Sequence, residues 1–292
     1  MKKYLLAAAA LIVMLAGCEP KSKVSSETEI ATYTDSTALL MFNVDVELPV
    51  AADEVNAAVR RDLVEVVLEN FSKFGYEESS VGQIEGVTAD LDIKSLVDRL
   101  GSEVFVSLGK LAEADYNDRM KAGAGREFAL EFDFEEDYDF QWECMSTLSR
   151  VLDADRYWVY LSEDYVYLGG AHGGIGGAGY LTYSKEDGSR ITGILDPSLL
   201  EEIQPILRQG IVRYFDETGE DISEDDVVDY LFIEDGIIPF PSYEPYPTED
   251  GLNFIYQQDE IAPYAMGMPS FTVPFSEIKP FLSESAKKAL GL

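Results

Sequence analysis

The sequence predicts an α+β fold in which antiparallel sheets pack against helices and two subdomains are intimately associated. Helical and strand-like patterns occur in separate runs along the chain, whereas a parallel α/β sheet would need them to alternate. The composition, 46% apolar and 26% charged over 292 residues, is that of a globular protein with a substantial core. It excludes a disordered or collagen-like chain.

The N-terminal part of the chain contains one clear strand and two helices, followed by strands. Residues 42–48 alternate apolar and polar side chains, which predicts a strand. Apolar residues at helical spacing predict helices over 53–74 and 90–111, and Gly101 is a candidate break in the second. Aromatic and β-branched residues then predict four strands, over 128–135, 138–153, 157–168 and 180–185.

The C-terminal part returns to helices and ends in two strands. Ser198 and Glu201 have the spacing of a capping box, which predicts a helix to about residue 215 with a kink at Pro205. Ser223 is expected to cap a short helix. The last strands are predicted at 254–256 and 271–275, with a loop between them.

The first residues have the pattern of a bacterial lipoprotein signal. Lys2 and Lys3 precede an apolar run at 5–15, which is too short to span a bilayer of ~30 Å but fits a signal-peptide core. The run ends in Leu15-Ala16-Gly17-Cys18, which closely resembles the lipobox. Cys18 is therefore expected to be acylated on its sulfur and on its new amine. Two or three acyl chains hold a protein at a membrane far better than one.

These signals divide the chain into four parts, with a signal peptide at 1–17, a tether at 18–36, and α+β subdomains at 37–150 and 151–292. The tether is predicted because residues 19–36 are polar and show no periodicity. We expect an exported protein that is lipid-anchored to the cell envelope. If the host is Gram-negative, Glu19 favours the outer membrane, because inner-membrane retention typically uses aspartate after the acylated cysteine.

The cysteines and the single histidine limit the chemistry. With Cys18 acylated, Cys144 has no partner for an intrachain disulfide, and its strand-like surroundings indicate a buried small side chain. His172 is the only histidine, which excludes two-histidine zinc sites. No metal or cofactor is expected.

A glycine-rich segment surrounds His172. Gly174, Gly176 and Gly179 have the spacing G-x-G-x-x-G, but a strand-like sequence follows where a dinucleotide site requires a helix. A glycine-rich turn or a close approach of the backbone to a neighbour is expected instead.

The charge is strongly negative, with 22 Lys and Arg against 55 Asp and Glu and a net charge of −33. This excludes nucleic acid as a partner, because that binding needs clustered cations. Residues 214–278 contain 16 carboxylates and no Lys or Arg. Two interpretations stay open: the acidity keeps an exported protein soluble, or it attracts a cationic partner.

Two segments together resemble the extracytoplasmic domain of unknown function 3298 (DUF3298), found in RsiV-type anti-sigma factors and the PdaC-type peptidoglycan deacetylase. The first is Gly169-Gly170-Ala171-His172-Gly173, directly after a strand. The second is Glu260-Ile261-Ala262-Pro263-Tyr264-Ala265-Met266-Gly267, before a short strand ending in Val273-Pro274-Phe275. Residues 42–49 and 55–59 resemble the companion domain that usually precedes it, so the resemblance spans about 37–282.

The resemblance implies a compact α+β ectodomain that binds a ligand. In the anti-sigma members the domain recognises lysozyme, and in the deacetylase it accompanies a separate catalytic domain. The implied binding residues lie in the two motifs: Gly169, Gly170, His172, Gly173, Glu260, Pro263 and Tyr264. We expect the second motif to be an ordered loop, with Tyr264 substantially buried, hydrogen-bonded and close to the glycine-rich segment.

The leading hypothesis is a lipid-anchored, non-catalytic binding module whose ligand is a cationic protein such as lysozyme, or cell-wall material such as peptidoglycan. The first alternative is an envelope hydrolase that uses His172 with a neighbouring carboxylate or serine. The second alternative is a structural or assembly lipoprotein.

Overall fold

The computed structural model describes residues 24–72, 86–124, 140–169, 174–220, 222–224 and 226–292. Within these ranges five α-helices and two sheets form an α+β fold, as the sequence predicts. The signal peptide, the predicted strand at 128–135 and His172 lie outside the described residues. No helix in the described part of the chain is both long and apolar enough to span a membrane.

The first sheet has five strands in the order β1-β2-β3-β4-β5. They are β1 (Thr28–Ser36), β2 (Leu40–Pro49), β3 (Trp142–Asp153), β4 (Tyr157–Tyr167) and β5 (Ile175–Ser184). Neighbouring strands are antiparallel except β2 and β3, which are parallel. A parallel pair requires a crossover connection, and this one contains α1 (Glu54–Ser72) and α2 (Ile93–Ala124).

The two crossover helices form the first hydrophobic core with one face of this sheet. Alternate side chains of β2 point toward the helices and are buried, as the period of two in the sequence predicts. Phe42 of β2 packs edge-on against Phe71 of α1, with ring centroids 6.1 Å apart. The helix predicted at 53–74 is confirmed within the described residues.

The tether prediction is wrong for residues 28–36, which form the edge strand β1. The Thr32 and Thr34 hydroxyls donate to the Asp45 and Asn43 side chains of β2. Because β1 has only one neighbouring strand and much of it is exposed, its sequence is polar, as is common at sheet edges. Apolar alternation therefore gave no signal here.

Gly101 does not break α2, which runs without interruption from Ile93 to Ala124. A Cβ atom at this position would lie 2.2 Å from the Tyr33 ring of β1. The glycine therefore allows the helix and the edge strand to approach closely, which is a packing requirement between elements distant in sequence.

The second sheet contains β6 (Tyr246–Pro247), β7 (Gly251–Ile255) and β8 (Ser270–Pro274), all antiparallel. Helix α3 (Gln204–Thr218) packs on it. The short helices α4 (Phe275–Ile278) and α5 (Glu284–Leu290) follow. The strands predicted at 254–256 and 271–275 are confirmed with small shifts at their ends, whereas β6 was not predicted.

The predicted start of α3 is wrong. Residues 197–199 form a separate 3₁₀ helix, in which the Asp196 carboxylate accepts the Ser198 amide at 3.0 Å. Helix α3 begins six residues after Ser198, at Gln204, so Pro205 lies in its first turn. Proline is tolerated there because the first-turn amides have no partner within the helix, and no kink is needed.

Strand β4 belongs to both hydrophobic cores. Its side chains alternate, so that Trp158 and Tyr160 lie in the first core, while Tyr157 and Val159 lie in the second core with α3 and β7. Strand β4 therefore joins the two cores, and β5 also contributes to both, with Tyr183 in the first and Tyr180 packed against the second. The proposed subdomain boundary at residue 150 falls inside β3 and stays a prediction about how the chain divides.

Cys144 lies in β3 with 1% of its surface exposed, which confirms the predicted buried side chain. Burial, with a smaller contribution from Glu143, raises the pKa of its thiol to about 12. We expect Cys144→Ala to lower the free energy of unfolding by about 1–2 kcal/mol through lost packing. Reductant and chelator should leave the wild-type melting temperature unchanged. A large shift with either reagent would contradict a fold without a disulfide or metal.

Candidate functional site

The second motif reaches the start of β5, the strand that follows the first motif in the chain. Gly169 follows the end of β4, while Gly170, His172 and Gly173 lie outside the described residues. The second motif forms the Glu260–Gly267 loop between β7 and β8, and its Tyr264 reaches Gly174 just before β5. A role for His172 stays a prediction.

Gly169 is fixed by helix α2 of the first core. Its backbone has a φ of 70°, which is the left-handed region that favours glycine. The Arg119 guanidinium donates to the Gly169 and Leu168 carbonyls at 3.2 and 3.1 Å. Because Asp115 pairs with Arg119 on the same helix, the end of β4 is held in one position.

Side chains of the segment that follows β7 bind the exposed backbone edge of β5. The Tyr264 hydroxyl donates to the Gly174 carbonyl at 2.6 Å, and the Gly176 amide donates to Gln258 Oε1 at 3.2 Å. Gln257 accepts from the Ala178 amide at 3.1 Å and donates to the Ala178 carbonyl at 3.0 Å. An open strand edge would otherwise be available for pairing with another chain.

Sequence reasoning missed Gln257 and Gln258. A side-chain amide carries both a donor and an acceptor, so it can replace a neighbouring strand at one residue of an edge. The only signal was two adjacent glutamines directly before the Glu260–Gly267 loop.

Glycines just before and within β5 allow aromatic rings to lie against the backbone. A Cβ atom at Gly174 would be 2.4 Å from the Tyr165 ring, and one at Gly179 would be 3.2 Å from the Tyr243 ring. The sequence predicted either a glycine-rich turn or a close approach of the backbone to a neighbour, and the close approach is confirmed. The predicted turn is wrong for residues 175–179, which are part of a strand.

Glu260 holds the loop together. Its two carboxylate oxygens accept the Ser242 amide at 2.6 Å and the Gln257 amide at 2.7 Å. The next two residues, Ile261 and Ala262, are buried in the second core. The loop is thus packed at its start, and a direct binding role for Glu260 or Pro263 stays a prediction.

Tyr264 is 40% exposed, so the prediction of a substantially buried ring is wrong, whereas the predicted hydrogen bond is present. The ring lies outside the core because its hydroxyl reaches across to the edge of β5. Tyr165 is close by: burial raises the pKa of its phenol, and Glu143 and Tyr264 raise it further.

Three exposed aromatic side chains lie in or beside the Glu260–Gly267 loop: Tyr264 is part of the loop, and Phe232 and Tyr243 lie next to it. We call these three side chains the loop surface. The exposed fractions are 61% for Phe232, 49% for Tyr243 and 40% for Tyr264. Phe232 is held by its amide, which donates to the Ile261 carbonyl at 2.7 Å, and Tyr243 follows Ser242, which is bound to Glu260. All three are therefore positioned by backbone or ring contacts to the loop and β5.

The chain segment that carries the loop surface is acidic. Between Tyr214 and Ile278, fourteen carboxylates have described surroundings, and all except Glu244 and Glu260 are exposed. Those two accept backbone amides. Among the described residues no cluster of His, Cys, Asp and Glu is arranged to hold a metal ion.

This part of the molecule matches a known family model. Residues 194–276, which include α3, the second sheet and the Glu260–Gly267 loop, match the family described as "Protein of unknown function (DUF3298)". The predicted resemblance is thus confirmed for this range, while the companion N-terminal domain stays a prediction.

Two solved structures have similar folds. A member of the DUF3298 family from Bacteroides fragilis NCTC 9343 is 16% identical, with a TM-score of 0.61 over 90% of this chain and 95% of that chain. A DUF3298 family protein from Pseudomonas aeruginosa PAO1 is 12% identical, with a TM-score of 0.52 over 90% of this chain and 97% of that one. No curated protein matches the chain. At these identities the likeness concerns the fold alone.

Proposed function

We propose that this protein is a lipid-anchored, non-catalytic binding module of the cell envelope, and that its loop surface binds a cationic protein of the lysozyme type. The observation that carries the proposal is the loop itself. It is fixed against the edge of β5 and presents Tyr264 in a part of the chain without cations.

The loop surface has the physical properties of a binding site. Exposed aromatic side chains are frequent hot spots of interfaces, because they contribute a large contact area at a low cost in conformational entropy. The hydrogen bonds of Tyr264, Gln257 and Glu260 hold the loop in the absence of a partner. A preorganised loop loses little freedom on binding, which favours affinity.

The charge of the surroundings selects the partner. The exposed carboxylates of residues 214–278 outnumber the cations beside them, which are Arg208, a donor to the Gly236 carbonyl, and Arg213 on α3. Such an excess of negative charge attracts a basic protein and repels an acidic one over about a Debye length. The lipobox supports a location at the cell envelope, where such a partner would be met. The hydrolase alternative depends on His172, which lies outside the described residues.

Substitution of Tyr264 tests this function. The full-length protein in detergent micelles is titrated with a c-type lysozyme at low salt. Tyr264→Ala should weaken binding by about tenfold or more, since truncation of a hot-spot aromatic residue costs ~2 kcal/mol. Tyr264→Phe keeps the ring and loses only the bond to Gly174. It should retain most of the affinity.

Ile30→Ala is the matched control, because Ile30 is an exposed apolar side chain on β1, at the opposite edge of the first sheet. It should leave affinity unchanged. If Tyr264→Ala and Ile30→Ala bound equally well, the loop surface would not be the contact site. Binding of peptidoglycan in place of lysozyme would assign the module to cell-wall material.

A further inference from the structure

A second potential site lies between α3 and the second sheet. It is a cavity of about 280 Å³ whose polar lining comes from Arg213, Tyr214, Glu217, Asn253, Ser270 and Thr272. The volume is close to the lower limit of the ~300–1,000 Å³ found for drug-sized ligands, so the cavity suits a ligand of one or two small rings.

The strand residues of this cavity form a hydrogen-bonded row. Ser270 Oγ donates to Asn253 Oδ1 at 3.2 Å, and Asn253 Nδ2 donates to Thr272 Oγ1 at 3.0 Å. These bonds leave the second amide hydrogen of Asn253 and the hydroxyl hydrogen of Thr272 as donors, and lone pairs of Ser270 Oγ as acceptors. The row therefore offers both donors and acceptors over a short distance along the sheet.

The helix contributes one charge of each sign. Arg213 and Glu217 are four residues apart on α3, and both are exposed. Neither forms an ion pair with a residue in the described ranges. The lining therefore carries no net charge, although the chain as a whole carries −33. A ligand with a single charge would be attracted by one of these side chains and repelled by the other. A neutral ligand can form hydrogen bonds with both.

We infer that this cavity binds a neutral saccharide unit. Adjacent hydroxyl groups of a sugar both donate and accept hydrogen bonds, which fits the donors and acceptors of the row and the Arg213 and Glu217 side chains. Tyr214, which also lines the cavity and is partly exposed, offers apolar surface to a sugar ring. Phe271 is buried between Phe254 and Gly210, so most contacts to the sugar are polar. The site does not depend on the proposed protein-binding function.

The site also contacts the Glu260–Gly267 loop. The Tyr214 hydroxyl donates to the Met266 carbonyl at 3.0 Å, and a Cβ atom at Gly267 would lie 2.6 Å from that hydroxyl oxygen. A sugar held in the cavity would thus lie next to the end of the loop.

Ligand-detected NMR and calorimetry test the inference with four sugars at pH 6: N-acetylglucosamine and glucose (neutral), glucosamine (cationic) and glucuronate (anionic). The full-length protein is kept in a detergent without a sugar headgroup. We expect saturable binding of N-acetylglucosamine whose affinity does not change between low and physiological salt, because no net charge is involved.

Two variants locate the site. Thr272→Val keeps the β-branched shape and removes the hydroxyl, and Arg213→Gln removes the charge on α3. Each should weaken binding about tenfold, the effect expected for leaving a ligand hydroxyl unpaired. Arg156→Gln is the control, because Arg156 is an exposed arginine that lines a different cavity beside α5. It should bind like the wild type, and melting temperatures should confirm that all variants fold.

The inference would be overturned if no neutral sugar bound saturably, if only glucosamine or glucuronate bound, or if both site variants bound like the control. Lysozyme binding is measured on the same preparations. If the protein bound sugar but not lysozyme, the proposed function would be rejected and the saccharide site would stand. If it bound lysozyme but not sugar, only the saccharide site would be rejected.

Discussion

Cys18→Ser should abolish acylation completely, leaving an unprocessed precursor without acyl label. Serine cannot form the thioether that the lipid requires, and every buried methylene of the missing chains removes about 0.8 kcal/mol of membrane affinity. Metabolic labelling with a radioactive or clickable fatty acid, followed by gel electrophoresis, measures both processing and acylation.

Cys144→Ala is the matched control for this experiment, because it removes the other thiol, which is buried in β3. It should be processed and labelled like the wild type. Label on the Cys18→Ser protein, or normal maturation of its precursor, would mean that the lipobox pattern has no role in anchoring.

The second large effect concerns the rate of association with a basic protein. The Debye length shrinks from ~30 Å at 0.01 M salt to ~8 Å at 0.15 M, so the long-range attraction of the acidic surroundings is largely lost. The association rate constant should fall by about 10- to 100-fold over this range, while the dissociation rate constant changes much less. Surface plasmon resonance or stopped flow separates the two rate constants.

Neutralisation of three exposed carboxylates tests whether local charge is responsible. Asp226→Asn, Asp229→Asn and Glu234→Gln together should slow association at low salt without unfolding the protein, because exposed like charges add little stability. The control variant carries Glu54→Gln, Glu65→Gln and Glu113→Gln on α1 and α2, with the same change in net charge. Equal slowing in both variants would show that only total charge matters.

The fold was predictable where one face of an element is buried along its whole length. Strand β2 alternates between buried and more exposed residues, and α1 repeats its apolar residues at helical spacing. The spacing of apolar residues therefore shows which face of each element is buried. Strand β1 and the glycine-rich start of β5 have no such period. β1 has one open edge and a polar sequence, while the glycines have no side chains to alternate.

The candidate site was predictable only as two motifs. The contact of the second motif with β5 depends on Gln257, Gln258 and Tyr264 reaching one strand edge. Contacts between residues so far apart in sequence leave no periodic signal. The same reason explains the error about Tyr264. Ring residues in a loop usually indicate burial, but this ring lies at a strand edge, where its hydroxyl bonds to the backbone.

The most direct test of the central claim compares a c-type lysozyme with the same lysozyme after acetylation of its lysines, which removes positive charge and keeps the remaining surface. Both are titrated against the full-length protein at low salt. We expect the unmodified lysozyme to bind at least tenfold more tightly than the acetylated form, and the variant with Asp226→Asn, Asp229→Asn and Glu234→Gln to reduce this difference. Equal binding of both forms, or binding no stronger than that of a neutral control protein, would contradict a loop surface that recognises a cationic partner.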